Sequence, residues 1–157
     1  MPGGRLTRRV NPTVIVVALV VTALDALTKA WARHDLAHHN VHVAGAVWLK
    51  LRFNAGVSFS VNPAGPFLTT VVTIVVALVV VVVGLRARPG VAAVGFGLLL
   101  GGGLANVIDR LAAQPHRVTD FIALGNFPVF NLADVSITAG FIVLLVVALR
   151  GEALTAR

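Results

Sequence analysis

Four apolar stretches dominate this chain, and each is long enough to cross a bilayer: about Val14–Trp31, Phe67–Leu85, Val91–Ile108 and Phe130–Leu149. Lipid offers no hydrogen bonds to a backbone, so a spanning segment satisfies its own polar groups as a helix of roughly 17–25 residues. The pattern predicts one all-α integral membrane domain over residues 1–157, with four transmembrane helices and no repeat or second domain. Composition agrees, at 57% hydrophobic and 12% charged, which is too little charge to cover a soluble surface. With no Cys, disulfides, thiolate metal sites and Cys nucleophiles are excluded. The net charge of +7 lies at span ends and in short loops. That placement suits membrane lipid headgroups as partners, and the chain carries no nucleic-acid-binding motif.

Sidedness follows the basic residues. Arg5, Arg8 and Arg9 precede the first span, Arg86 and Arg88 join the second to the third, and Arg150 and Arg157 follow the fourth. Four spans place these segments on one side. The opposite side carries Arg33, Lys50, Arg52, Arg110 and Arg117 over longer loops. Both termini are therefore expected in the cytoplasm and the loop 35–65 outside. The first span has the basic flank and apolar core of a signal peptide. Its length, and the presence of Asp25 and Lys29, favour an uncleaved span. In the outer loop, Val47, Leu49, Leu51 and Phe53 alternate with Trp48, Lys50, Arg52 and Asn54. Period two predicts a strand with one apolar face, in a small extracytoplasmic sheet between the first and second helices.

Six acidic residues are present, and Asp35 and Glu152 lie in hydrophilic flanks. The other four, Asp25, Asp109, Asp120 and Asp134, converge on one level beneath the outer interface. Asp25 is about 10 Å inside the first span at ~1.5 Å per residue. An ionisable group inside a span costs at least ~2.5 kcal/mol and points to function. Asp25 and Lys29, at i,i+4, are placed either to pair or to act directly. Asp109, at a helix end beside Arg110, reads as structural. Asp120 and Asp134 have apolar neighbours and no cation beside them in sequence. Two such carboxyls, if they meet, share one proton and titrate as a coupled pair. That arrangement suits activation of a water for amide hydrolysis, one carboxylate as base and its protonated partner polarising the carbonyl. Asn54, Asn106 and Asn131 fall at the same level, and Gly101-Gly102-Gly103 admits close approach to the third span.

Other chemistries fit less well. His34, His38, His39 and His42 cluster within nine positions. They straddle a span end and a loop and have only Asp35 nearby, so no metal and no cofactor is expected. No G-x-S-x-G occurs and no His lies in a span core, which disfavours a serine protease. A small proton- or ion-coupled transporter, with Asp25, Lys29 and Asp134 as carriers, is the alternative. Its polar residues would have to cross the bilayer, and here they crowd at one face.

The motifs themselves narrow the choice. Asp25-Ala-Leu-Thr-Lys29, Asn54-Ala-Gly56-Val-Ser-Phe59-Ser60, Gly102-Gly-Leu-Ala-Asn106-Val-Ile-Asp109-Arg110, Val118-Thr-Asp120-Phe121 and Phe130-Asn131-Leu-Ala133-Asp134 follow in order. The set resembles the bacterial lipoprotein signal peptidase (signal peptidase II) family of inner-membrane aspartic proteases, with D-x-x-x-K, N-x-G-x-A-F, G-G-x-x-N-x-x-D-R, V-x-D-F and F-N-x-A-D. Ser58 stands where Ala is usual and Thr119 where Val is common. The resemblance implies Asp120 and Asp134 as the catalytic dyad. It implies Asn54, Gly56, Asn106, Arg110 and Asn131 as residues lining the site or holding substrate, and Asp25, Lys29 and Asp109 as supporting polar groups. It also implies a diacylglyceryl-modified prolipoprotein substrate, cut just before the modified Cys by a monomeric multi-pass enzyme whose active site lies near the outer face.

Overall fold

In a computed structural model, residues 11–54, 65–84, 86–112 and 117–155 are described, with side chains 65–70, 72, 73 and 77 excepted. Gly56, Phe59, Ser60 and His116, and the basic residues Arg5, Arg8, Arg9 and Arg157, lie outside them. The order is α1 (Pro12–Asp35), β1 (Val41–Ala44), β2 (Val47–Asn54), α2 (Gly65–Gly84), α3 (Val91–Ala112), β3 (Val118–Leu124) and α4 (Leu132–Leu149). Among the described residues, α1, α3 and α4 are long and apolar enough to cross a membrane. The remaining predicted stretch, the second in chain order, is helical as α2 and packs on α3. Its Val75, Val76, Leu78, Val79 and Val82 are more than half exposed.

Helix α3 is central, in contact with α1, α2 and α4. Small residues make this possible. A Cβ at Gly102 would lie 2.5 Å from the Ala133 carbonyl oxygen, so only glycine lets the first turn of α4 rest on α3. At Gly101 a Cβ would lie 2.8 Å from the Ala18 carbonyl, and Thr22 donates to the Gly101 carbonyl at 3.1 Å. Prolines and polar caps define the helix ends. Asn11 caps α1 ahead of Pro12 through the Thr13 N–H at 3.0 Å. Its amide also donates to the Ala87 carbonyl at 3.2 Å. Ala87 in turn bridges to Thr155. The start of α1, the α2–α3 connection and the end of the described chain thus share one end of the bundle.

The sheet occupies the other end and differs from the expected one. It has three antiparallel strands in the order β1-β2-β3, and the third comes from the segment between α3 and α4 rather than from the 35–65 loop. β3 is buried from Val118 to Phe121, on both faces. A strand covered on both sides has no period-two signature, so its alternation is invisible in sequence. In β2 the expected apolar face holds as far as Leu51. Leu49 and Leu51 pack with Ala32, Leu36 and Phe121, whereas Phe53 is half exposed. The cause is a register shift: Leu49 pairs with Ile122 but Arg52 with Asp120, one extra residue in β2. That bulge reverses which side chains face inward and turns Asn54 onto the face that Asp120 occupies.

Candidate active site

The candidate site is built where the sheet meets the first turns of the helices. After β3 the chain turns at Gly125, whose φ is +50-type left-handed at 52°. It then returns alongside β3. The Phe130 carbonyl accepts from the Phe121 and Ile122 N–H groups at 3.0 and 2.8 Å, and Phe130 donates to the Ile122 carbonyl at 3.0 Å. This local hairpin delivers Asn131 and the start of α4 beside Asp120.

Asn131 is fully buried and ties the two candidate carboxyls together. Its side-chain amide donates to Asp120 Oδ1 at 2.7 Å, and its backbone N–H donates to Asp134 Oδ2 at 3.1 Å. Asn131 Oδ1 accepts from the Asp134 N–H at 3.0 Å, completing a capping box at the N-terminus of α4. Each carboxyl has a second amide partner. Asn54 donates to Asp120 Oδ2 at 3.1 Å, and Asn106 donates to Asp134 Oδ1 at 3.0 Å. All four carboxylate oxygens therefore face N–H donors from three asparagines. Asp120 is only 3% exposed. Burial, followed by the nearby charge of Asp134, pushes its pKa from the ordinary 3.8 up to about 6, against the opposing bonds from Asn131 and Asn54 and the charge of Lys29. Arg110, also buried, interacts electrostatically with Asp120, Asp134 and Asp109.

A second layer supports this pair. Lys29, fully buried in α1, lies 2.6 Å from Asp25 Oδ2 and donates to Asn106 Oδ1 at 2.8 Å. Asn106 Oδ1 also accepts from Asn131 at 3.2 Å. With its oxygen held by these two donors, Asn106 has only its NH₂ to offer Asp134. Asp25 Oδ1 accepts the Ala133 N–H at 2.8 Å, satisfying an otherwise unpaired donor in the first turn of α4. The bonds from Lys29 to Asn106 and from the Ala133 N–H to Asp25 help to offset the desolvation of this buried ion pair. Asp109 reaches β3 as well as Lys29: Oδ2 accepts the Thr119 N–H at 2.6 Å and lies 3.8 Å from Lys29 Nζ, and Oδ1 meets Arg33 Nη1 at 2.8 Å.

The structure thus brings together Asp25, Lys29, Asn54, Asn106, Asp109, Arg110, Asp120, Asn131 and Asp134; Gly56 lies outside the described residues. The described histidines go elsewhere. His34 Nδ1 lies 3.4 Å from Asp35, and His42 packs against Trp48 with ring centroids 4.5 Å apart. Sequence reasoning missed Arg33 and buried Thr119. One signal was available: Asp25, Lys29 and Arg33 repeat at a spacing of four, which places all three on one face of α1.

The family profile for Signal peptidase (SPase) II matches residues 17–150 of the chain. The chain belongs to the signal peptidase II family. The match takes in Asp25, Asp120, Asn131 and Asp134, so the whole network lies within the signal peptidase II region. The chain is 37% identical to the lipoprotein signal peptidase of Rhodococcus jostii (strain RHA1), over 96% of this chain and 79% of that one. It is also 37% identical to that of Gloeobacter violaceus, over 92% of this chain and 86% of the relative. Among solved structures it is similar to a bacterial membrane enzyme determined by the in meso method at 2.3 Å, with a TM-score of 0.79, 26% identity and 88% of each chain covered.

Proposed function

We propose that this signal peptidase II is an aspartic endopeptidase that removes signal peptides from prolipoproteins, cutting before the diacylglyceryl-modified Cys, with Asp120 and Asp134 as its hydrolytic pair. The observation that carries the reading is Asn131 bonded to both carboxyls, which makes buried Asp120 and half-buried Asp134 one unit. Such a pair ionises once and holds one proton. The ionised carboxylate takes a proton from a water between the pair. The protonated partner donates to the substrate carbonyl oxygen as the water adds to the carbon; the captured proton then passes to the nitrogen as the C–N bond breaks, and a hydroxyl of the tetrahedral intermediate returns a proton to the other carboxylate, which restores the singly protonated pair. Arg110 supplies positive charge beside the developing oxyanion. Asn54, on the bulged strand, faces the site from the outer loop and lines the path of the substrate peptide.

In this reading α2 is a fourth membrane span. The bundle end bearing Asn11, Ala87 and Thr155 is cytoplasmic, the sheet rests on the outer leaflet of the inner membrane, and the enzyme acts as a monomer among lipids. Trp48, with Lys50 Nζ 4.9 Å from its ring centroid, suits headgroup level. The test is purified full-length protein in detergent, offered the same propeptide with and without its diacylglyceryl group, in the absence of any gradient. Cleavage of the lipidated peptide at the modified Cys is expected; cleavage of neither peptide would refute the reading.

A further inference from the structure

Neither the pairing of the carboxyls nor the Asp25–Lys29 support accounts for Arg33. It leaves α1 two turns beyond Asp25, on the same face, with its side chain 40% exposed. A single nitrogen, Nη1, makes two contacts: 2.8 Å to Asp109 Oδ1 and 2.9 Å to the Thr119 hydroxyl. Asp109 Oδ2 simultaneously accepts the Thr119 backbone N–H at 2.6 Å. Thr119 is fully buried and immediately precedes Asp120. Its carbonyl is 3.4 Å from the same Asn131 amide that donates to Asp120. α1 and α3 therefore grip β3 at one residue, by its hydroxyl and by its N–H, next to the residue that must meet Asp134.

We infer that Arg33 is a positioning residue, which through Asp109 and the Thr119 hydroxyl fixes β3 so that Asp120 lies against Asn131 and Asp134. The inference rests on the reading of Asp120 as a hydrolytic residue. β2 pairs with β3 across a bulge, and bulges weaken local pairing. Beyond that bulge Thr119 and Asp120 pair regularly with Phe53 and Arg52, so the strand's register near Asp120 is held from the helix side as well as by its neighbour strand. Arg33 is expected to bear on the geometry of the chemical step more than on substrate affinity, because Nη1 is committed to Asp109 and Thr119 next to Asp120.

The test is steady-state cleavage of a diacylglyceryl-modified propeptide by the full chain in detergent. The variants are Arg33→Gln, Thr119→Val, their double, Arg33→Lys and Asp120→Asn, each with a thermal midpoint. Displacement of a reacting group by a fraction of an ångström costs roughly tenfold in kcat, expected for Arg33→Gln with KM within about twofold. Thr119→Val should cost about threefold, and the double variant no more than Arg33→Gln, since both remove one link. Arg33→Lys should recover most of kcat, because one nitrogen makes both contacts. A parent-like kcat for Arg33→Gln, additive losses, a loss confined to KM, or failure of Arg33→Lys to rescue would each overturn the inference. If Arg33→Gln does not fold, Thr119→Val alone decides, and an unchanged kcat there refutes the role. Substantial turnover by folded Asp120→Asn would instead reject the dyad; an inactive Asp120→Asn beside fully active Arg33 and Thr119 variants leaves the dyad standing and removes the positioning role of Arg33.

Discussion

Asp120→Asn should make the protein more stable above pH 6 and less stable below pH 4, while removing its activity. Asp120 is 3% exposed, and its pKa stands at about 6 rather than 3.8. The folded state therefore binds a proton that the unfolded chain has released across that window. Stability falls as pH rises through it and levels off above about 6, at a cumulative cost of ~3 kcal/mol. Asparagine does not titrate and escapes this cost. It keeps the bond from Asn131 at one oxygen but presents an NH₂ to the Asn54 NH₂, which loses a hydrogen bond of ~1 kcal/mol. The net expectation is a gain of ~2 kcal/mol at about pH 8 and a loss of ~1 kcal/mol near pH 4. Thermal or denaturant unfolding in one detergent at both pH values reads the difference. A variant that is destabilised at pH 8, or whose effect is the same at both values, would refute the burial argument for Asp120.

Three further outcomes follow from the same network. Asn131→Ala removes a bond from each carboxyl and the cap of α4, so a loss of ~1 kcal/mol in stability and at least ~10²-fold in turnover is expected; a parent-like rate would show that Asn131 does not organise the pair. The kcat/KM profile should carry a limb near pH 6, set by Asp120. Asn54 favours the ionised form of Asp120, so Asn54→Ala should move that limb to higher pH, and a shift to lower pH would contradict the assignment. Reporter fusions at the C-terminus and at Asn62 should give cytoplasmic and external signals respectively; the reverse pattern would invert the proposed topology.

The convergence of Asp25, Asp109, Asp120 and Asp134 was legible in the sequence because ionisable groups inside or beside apolar spans are costly and therefore conspicuous. The helices were legible from their long apolar runs, with ends within a few residues of those observed. What sequence could not supply was the means of bringing Asp120 to Asp134. β3 is covered on both faces and carries Asp and Thr among its apolar residues, so it reads as a loop. The bulge that turns Asn54 inward depends on pairing with that unseen strand. Asn131 was expected at the level of the two aspartates, but its double role requires the hairpin through Phe130 and Ile122, a contact set by the turn rather than by composition. Arg33 looked like an ordinary interfacial cation because its partners are 76 and 86 residues away.

The central claim is that Asp120 and Asp134 act as one unit on one water. It is tested most directly by turnover of a lipidated propeptide by Asp120→Asn, Asp134→Asn and the double variant, each verified as folded. Residues that work as a unit lose their effect together, so each single change should lower turnover by ~10³-fold or more and the double should be little worse. Substantial turnover by either folded single variant, or losses that multiply in the double, would contradict the claim.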